Sequence, residues 1–177
     1  IKVMTGIRRS GKSVMLELIK EELAEAGVAP SQMISINFED MRYSHLQTAT
    51  ALHDEIIKRA EGIEGKAYLF FDEIQEVEGW EKCVNSLRVA LDCDIYITGS
   101  NAKLLSGELA TYIGGRYVEF VIYPFSFAEF LELYHTIAPS DSIQQCFQKY
   151  LLAGGMPYLA NLRYEEEPSR QYLTDLF

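Results

Sequence analysis

The sequence predicts an α/β fold in which a parallel sheet is covered by helices on both faces and followed by a small helical lid. Apolar stretches of strand length alternate with amphipathic helical patterns up to about residue 123. Those stretches are apolar almost throughout, as is typical of strands buried on both faces. After Pro124, helical patterns follow one another without strands. We therefore expect a core over residues 1–123 and a lid over 124–177, where a further C-terminal region begins.

The predicted strands are short apolar runs bounded by turn residues. They are "IKVM" (1–4), "MISINF" (33–38), "KAYLFFDE" (66–73), "CDIYITGSN" (93–101) and "RYVEFVIY" (116–123). Continuous apolar strands that alternate with helices indicate a parallel sheet.

The predicted helices follow from apolar residues spaced three or four apart and from capping signals. They cover about 11–26, 44–60, 80–91, 126–134 and 142–152. Ser44 with Gln47, and Ser126 with Glu129, form capping boxes that predict helix starts. The stretch "RYEEEPSR" (163–170) is the most linker-like part of the chain.

A pattern G-x-x-x-x-G-K-[ST], the Walker A form, lies between the first predicted strand and the first predicted helix. Glycines let such a loop curl so that consecutive backbone N–H groups point inward, and the next helix presents unpaired N–H groups and its positive dipole end. We therefore predict a nucleotide-phosphate site. Its residues are Gly6, Ile7, Arg8, Arg9, Ser10, Gly11, Lys12, Ser13 and Val14.

Side chains of this loop have separate expected roles. Lys12 is expected to reach the β- and γ-phosphates, and the Ser13 hydroxyl to ligate Mg²⁺. Arg8 and Arg9 are either extra phosphate contacts or solvent-facing residues of a loop whose backbone binds the phosphates, and we expect the second for at least one of them.

Two acids, Asp72 and Glu73, follow the apolar run 68–71 of the third predicted strand, which is the Walker B form. In open α/β sheets, ligands bind at the carboxyl ends of the strands, so both acids should lie beside the phosphate loop. We expect Asp72 to hold Mg²⁺ through water. Glu73 is then expected to orient and polarise the water that attacks the γ-phosphate. Without the loop, the same pair would indicate only a solvated strand end or a helix cap.

Four stretches together resemble the AAA+ superfamily of ATPases, and more narrowly the prokaryotic predicted ATPases that carry a C-terminal domain of unknown function. These stretches are "GIRRSGKS", "FFDEIQ", "ITGSN" and "GGRYVEF", and the resemblance covers residues 1 to about 160. It implies a three-layer P-loop NTPase of the AAA+/ASCE type, with a five-stranded parallel sheet in the order 5-1-4-3-2 and a helical lid. It also implies ATP and Mg²⁺ as ligands.

The resemblance assigns two further residues. The polar residue that ends the fourth strand in such ATPases acts as sensor 1, which implicates Asn101, or Ser100 one position earlier; a glycine-containing turn that caps the next helix is an equal alternative. Arg116 opens the fifth predicted strand, a place from which these ATPases send an arginine to a γ-phosphate. The alternative for Arg116 is a surface or salt-bridging arginine.

Composition limits the partners. With 16 basic and 26 acidic residues the formal net charge is −10, which argues against a general nucleic-acid surface.

The chain has an odd number of cysteines, Cys83, Cys93 and Cys146, with no C-x-x-C spacing. We therefore expect buried free thiols in a reducing compartment, the cytoplasm. No apolar run reaches the length of a membrane span and no signal-peptide pattern is present. The chain opens inside a strand, so we expect it to be part of a longer protein.

Three functions remain open from the residues. The first is Mg²⁺-dependent ATP binding and hydrolysis, coupled to movement of the lid and the C-terminal region. The second is a nucleotide-gated scaffold with little turnover. The third is a small-molecule P-loop kinase, against which the acidic character counts. The expected partners are ATP and either further copies of the chain or a protein bound through the C-terminal region.

Overall fold

The computed structural model describes residues 1–99 and 114–176. The chain divides into two compact units. We call Ile1–Gly6 with Lys12–Val121 the sheet unit, and Ile7–Gly11 with Ile122–Phe177 the helical unit.

The sheet unit contains five parallel strands. They are β1 (Lys2–Thr5), β2 (Met33–Asn37), β3 (Ala67–Asp72), β4 (Cys93–Thr98) and β5 (Val118–Val121). Their order is β2-β3-β4-β1-β5, which confirms the predicted order 5-1-4-3-2. Neighbouring strands that are distant in sequence must be joined by crossovers, so helices are placed on the sheet faces.

Among the residues that the structure describes, this unit has three helices: α1 (Lys12–Glu25), α2 (Ala49–Ala60) and α3 (Trp80–Ala90). The predicted helix start at Ser44 is wrong. Residues 41–46 form 3₁₀ turns, and α2 is capped by Thr48, whose side chain accepts a hydrogen bond from the backbone N–H of Ala51. Thr48 is fixed there by a bridge to Glu78, so tertiary pairing sets where α2 begins.

The core of the sheet unit lies between the sheet and its helices, and both β3 and α3 contribute to it. Leu69, Phe70 and Phe71 of β3 are fully buried. Cys83 of α3 is also buried, and this burial, together with Asp54, raises the pKa of its thiol to about 12. The three cysteines are free thiols, and only Cys93 is not fully buried.

The helical unit contains three helices: α4 (Phe127–Ile137), α5 (Ile143–Ala153) and α6 (Glu166–Leu176). The capping box of Ser126 and Glu129 is confirmed at the start of α4. The linker predicted at 163–170 is wrong from residue 166 onward, because α6 begins there. Pro168 lies in its first turn, where a missing N–H costs nothing. Tyr172, three residues after the buried Ser169, joins the aromatic core of the unit.

The turn after α5 depends on close backbone packing at Gly155. A Cβ at Gly155 would lie 2.0 Å from the carbonyl oxygen of Phe125, whose N–H donates to the Gly155 carbonyl at 2.7 Å. We expect Gly155→Ala to lower the free energy of unfolding by about 2–3 kcal/mol, since backbone must move to admit the methyl group. Urea unfolding measures this.

Gly154→Ala is the matched control in the same turn. Gly154 has nothing within 4 Å of its Cβ position, but its φ of 73° and ψ of −171° are adopted almost only by glycine, so the backbone conformation alone is penalised, by about 1–3 kcal/mol. Wild-type stability of Gly155→Ala would contradict the steric argument.

Candidate functional site

The loop that joins β1 to α1 contains two glycines and one arginine with positive φ. The φ values are 147° at Gly6, 104° at Gly11 and 64° at Arg9. Glycine adopts such angles freely, whereas arginine rarely does. Helix α1 begins at Lys12, so its first-turn N–H groups, which have no partners within the helix, lie directly after the loop. This is the backbone geometry of an anion-binding turn.

Lys12 is held at the loop. Its side chain is only 5 % exposed, and Nζ donates to the backbone carbonyl of Gly6 at 3.3 Å. The ammonium group therefore lies beside the first residue of the loop. Ser13, next along α1, is exposed.

Ser10 provides a test of whether the loop suits an anion. Its side chain is 4 % exposed, and among the residues the structure describes its hydroxyl has no hydrogen-bond partner. A buried hydroxyl usually has a partner, and where the protein supplies none, water or a ligand does. A phosphate oxygen is an acceptor of the kind this hydroxyl lacks. The residues present therefore fit a phosphate ligand.

The carboxylate of Asp72 is held on both sides at the end of β3. Thr98, which ends β4, donates its hydroxyl proton to Asp72 Oδ1, and Asn37 Nδ2, which ends β2, donates to Oδ2 at 3.0 Å. Asp72 is 7 % exposed. Each carboxylate oxygen has two lone pairs, so with the donors among residues 1–99 and 114–176 each keeps one for a further donor such as metal-bound water.

These groups form one row across the sheet. Asn37 pairs with Asp72, and Thr98 pairs with Met4, two residues before Gly6. Since neighbouring strands lie about 4.8 Å apart, the end of β3 is about 10 Å from the end of β1. Asp72 and the start of the phosphate loop therefore lie at the same edge of the sheet. Carboxylate and hydroxyl oxygens are donors that suit Mg²⁺, so the residues present also fit this ion.

Glu73 has a left-handed backbone, with φ at 53°. Its N–H donates to Thr98 Oγ1 at 3.0 Å, so the Thr98 hydroxyl connects the backbone of Glu73 to the carboxylate of Asp72. The carboxylate of Glu73 accepts a hydrogen bond from Gln75 Nε2. Non-glycine residues keep this backbone conformation only where neighbours fix it, and such residues cluster at functional sites.

The remaining predicted residues are Asn101 and Arg116. Asn101, like Ser100, lies outside the described residues. Arg116 does not open the fifth strand, which begins at Val118; that expectation is wrong. Arg116 is exposed and its NH1 group donates to Asn85 Oδ1 of α3 at 3.1 Å.

Arg116 also lies near the amino ends of the strands, whereas the loop follows the carboxyl end of β1. Strand β5 is parallel to β1, and Val121 pairs with Thr5 at the carboxyl ends. The five residue steps from Arg116 to Val121 span about 16 Å at about 3.3 Å per residue. The side chain therefore does not reach the end of β1, where the loop of its own chain begins.

Sequence reasoning missed Asn37 and left Thr98 without a role. Asn37 is a polar residue at the last position of an otherwise buried strand pattern, which is a usable signal at the carboxyl edge of a parallel sheet. Its bond to Asp72 could not be inferred before the order β2-β3 was known.

Thr98→Val tests whether the Thr98 hydroxyl matters to the site. The change removes the donor to Asp72 and the acceptor for the Glu73 N–H. We expect nucleotide turnover to fall about tenfold, because groups that orient a metal-binding carboxylate typically have effects of this size. Steady-state phosphate release measures it.

Thr5→Val is the matched control, since Thr5 is also 0 % exposed but donates to Glu119, at 2.6 Å. Both variants lose a buried hydroxyl and should unfold at similarly lower urea concentrations. Equal turnover in the two variants would contradict a special role for Thr98.

The fold is that of an AAA+ P-loop ATPase. Three features define it: the order of the strands, the loop after β1 and the acids after β3. A sequence model of an AAA domain matches residues 1–131. The chain therefore belongs to this AAA domain family, within the AAA+ superfamily of P-loop ATPases.

Two relatives extend the comparison. An uncharacterized protein of Haemophilus influenzae is 45 % identical over 157 residues, which are 89 % of this chain and 39 % of that protein. An uncharacterized protein of Methanocaldococcus jannaschii is 34 % identical over 189 aligned residues, which are 100 % of this chain and 41 % of that protein. The chain spans about two fifths of the length of these relatives.

Among solved structures, the Aeropyrum pernix ORC1 protein in complex with DNA matches with a TM-score of 0.52. The identity is 15 %, and the match covers 97 % of this chain and 59 % of that one. At this identity the likeness establishes the fold. Among the described residues, none of the helices combines the length and the apolar composition that a membrane crossing requires.

Proposed function

We propose that the chain binds ATP with Mg²⁺ at the loop of residues 6–14 and hydrolyses the terminal phosphate. One observation carries this proposal: the Asp72 carboxylate is fixed by Thr98 and Asn37 at the edge of the sheet where β1 enters the loop. The two donors fix the direction of the carboxylate and leave it lone pairs for a metal-bound water, and carboxylates that serve a metal are themselves hydrogen-bonded in this way.

Each residue has a distinct part. The loop N–H groups and Lys12 bind the β- and γ-phosphates, and Asp72 with the Ser13 hydroxyl holds the cation. Bound Mg²⁺ neutralises charge that develops on the phosphate oxygens. Glu73 accepts a proton from the attacking water and orients it. By resemblance, Asn101 positions the same water.

We further propose that turnover moves the helical unit, which acts as the lid. The support is that residues 7–11, the centre of the loop, group with the helical unit, whereas Gly6 and Lys12 on either side group with the sheet unit. Such movement is a common way for nucleotide turnover to be used.

A nucleotide-gated switch with little turnover is the second candidate. The observation in its favour is the hydrogen bond from Gln75 Nε2 to Oε2 of Glu73, the group proposed as the base. This bond holds the Glu73 carboxylate toward Gln75, so its orientation is set by the protein and not by an attacking water. A partner that displaces Gln75 would then raise the rate of hydrolysis.

The partner of the whole protein is proposed to be another protein or further copies of the chain. The net charge of −10 supports this choice over a general nucleic-acid surface. Free thiols at Cys83, Cys93 and Cys146 suit a reducing compartment, and we propose the cytoplasm.

Calorimetry with ATP, in Mg²⁺ and in excess chelator, tests the proposed function. Binding is expected in both conditions and is expected to be tighter with Mg²⁺, and phosphate release is expected only with Mg²⁺. Absence of ATP binding would overturn the nucleotide-site proposal. Mg²⁺-dependent binding without phosphate release, even after addition of cell extract, would favour the switch.

Arg116 is proposed to serve the site of a neighbouring copy, since the end of β1, where its own loop begins, is out of reach. A guanidinium group stabilises charge on phosphoryl oxygens in the transition state, so Arg116→Ala is expected to cut turnover far more than ATP affinity. Mixing Arg116→Ala with Lys12→Ala protein should restore part of the activity at hybrid interfaces, and wild-type specific activity should rise with protein concentration. Asn85→Ala is the control, because it removes only the partner of Arg116 within the chain. Wild-type turnover by Arg116→Ala would show a structural role.

A further inference from the structure

The phosphate loop has an arginine where its backbone requires a left-handed residue. Arg9 has a φ of 64°, an angle that side chains with a Cβ rarely adopt. This conformation curls the loop between Gly6 and Gly11 and so directs its N–H groups. A non-glycine residue keeps such an angle only where its surroundings hold it.

Tyr172 of α6 supplies a contact that can hold Arg9. The guanidinium carbon of Arg9 lies 5.3 Å from the centroid of the Tyr172 ring, a cation–π distance. Both residues belong to the helical unit. The ring itself is fixed, since Tyr172 is 9 % exposed and stacks on Tyr158 at 5.0 Å. Arg9 therefore rests against a rigid aromatic surface.

We propose that Tyr172 is a positioning residue for nucleotide binding, which holds Arg9 and with it the left-handed turn of the phosphate loop. This inference rests on the proposed function of the loop. Tyr172 touches neither nucleotide nor metal in this role. It reduces the number of loop conformations in the free protein, and a binding site that is already ordered loses less entropy when the ligand arrives.

Substitutions at Arg9 separate this role from a direct phosphate contact. Arg9→Ala loses the stack and keeps the penalty of a left-handed residue, whereas Arg9→Gly loses the stack and removes the penalty. If the stack acts through the backbone, Arg9→Gly binds ATP more tightly than Arg9→Ala. If the guanidinium binds phosphate directly, the two variants bind equally weakly.

Substitutions at Tyr172 complete the test, with ATP dissociation constants from calorimetry. Tyr172→Phe keeps an aromatic face and is expected to retain affinity, whereas Tyr172→Ala is expected to weaken binding about fivefold or more. Because Tyr172→Ala also removes a core ring, Phe127→Ala is the control. Phe127 lies in the same aromatic cluster, where its rings in contact are Phe130, Phe147 and Tyr150. Thermal unfolding of both variants checks that the loss of stability is similar.

The deciding measurement is a double-mutant cycle. In the Arg9→Gly background, Tyr172→Ala is expected to cause no further loss of affinity, because there is no longer a stack to remove. A further fivefold loss there, wild-type affinity in Tyr172→Ala, or equal affinity of Arg9→Gly and Arg9→Ala would overturn the proposal. Lys12→Met distinguishes a failure of the positioning role from a failure of the nucleotide-site proposal. If that variant loses ATP while Tyr172→Ala does not, only the positioning role is wrong; if it binds like wild type, the nucleotide site itself is wrong.

Discussion

Lys12→Met is expected to raise the dissociation constant for ATP about a hundredfold and to abolish hydrolysis with it. Lys12 is only 5 % exposed, and its ammonium group lies 3.3 Å from the carbonyl of Gly6, the first residue of the loop. Removing a buried charge that faces several phosphate oxygens costs more than one ordinary hydrogen bond, and about 2.7 kcal/mol corresponds to the stated factor. Calorimetry with ATP and a phosphate-release assay measure both effects.

Methionine is preferred to alanine here because it keeps most of the side-chain volume. A drop in stability from a cavity would otherwise be confused with lost binding. Lys20→Met is the matched control on the same helix. Its Nζ contacts Glu17 and Ser35 rather than the loop, so this variant should bind ATP like wild type. ATP binding by Lys12→Met at wild-type strength would contradict the assignment of the loop as a phosphate site.

The strands of the sheet could be predicted from the sequence because the apolar pattern of each strand agrees with its buried position in the fold. Each strand is a short apolar run, and the pattern G-x-x-x-x-G-K-S belongs between a strand and a helix, so β1 and α1 follow from the residues alone. The order of the strands came from the resemblance and not from periodicity, since nothing in an apolar run states which neighbour it pairs with.

The errors occur where tertiary contacts outweigh local signals. Residues 166–170 carry three charges and a proline, which resembles a linker, yet α6 forms because Ser169 and Tyr172 are buried on one face. Ser44 offered a complete capping box, but Thr48 has the bridge to Glu78 and caps α2 instead. Neither contact can be read from the residues nearby.

The site was predictable only as a set of separate residues. Asp72 and Glu73 stand out as acids that end an apolar strand. Their surroundings depend on which strands lie next to β3, so the bond from Asn37 and the double role of the Thr98 hydroxyl required the fold. The left-handed backbone of Glu73 is likewise invisible in sequence, because a glutamate predicts no such angle.

Glu73→Gln is expected to bind ATP with Mg²⁺ like wild type and to hydrolyse it at least about a hundredfold more slowly. The substitution removes the ability to accept a proton while it keeps the size of the side chain, and loss of a proton-accepting group typically has this effect. The backbone N–H of residue 73 still donates to Thr98, so the geometry around Asp72 is retained. Single-turnover phosphate release, with binding measured separately, distinguishes the chemical step from affinity.

Glu76→Gln is the control for the loss of one negative charge, since Glu76 is exposed and lies three residues further along the chain. Gln75→Ala gives a second, opposite expectation: it releases the Glu73 carboxylate from its hydrogen bond, so turnover should rise if that bond restrains the base. A Glu73→Gln protein that hydrolyses ATP at the wild-type rate would exclude Glu73 as the base. Glu73 would then be only a strand-end carboxylate, and the water would have to be activated by the phosphate oxygens and the cation alone.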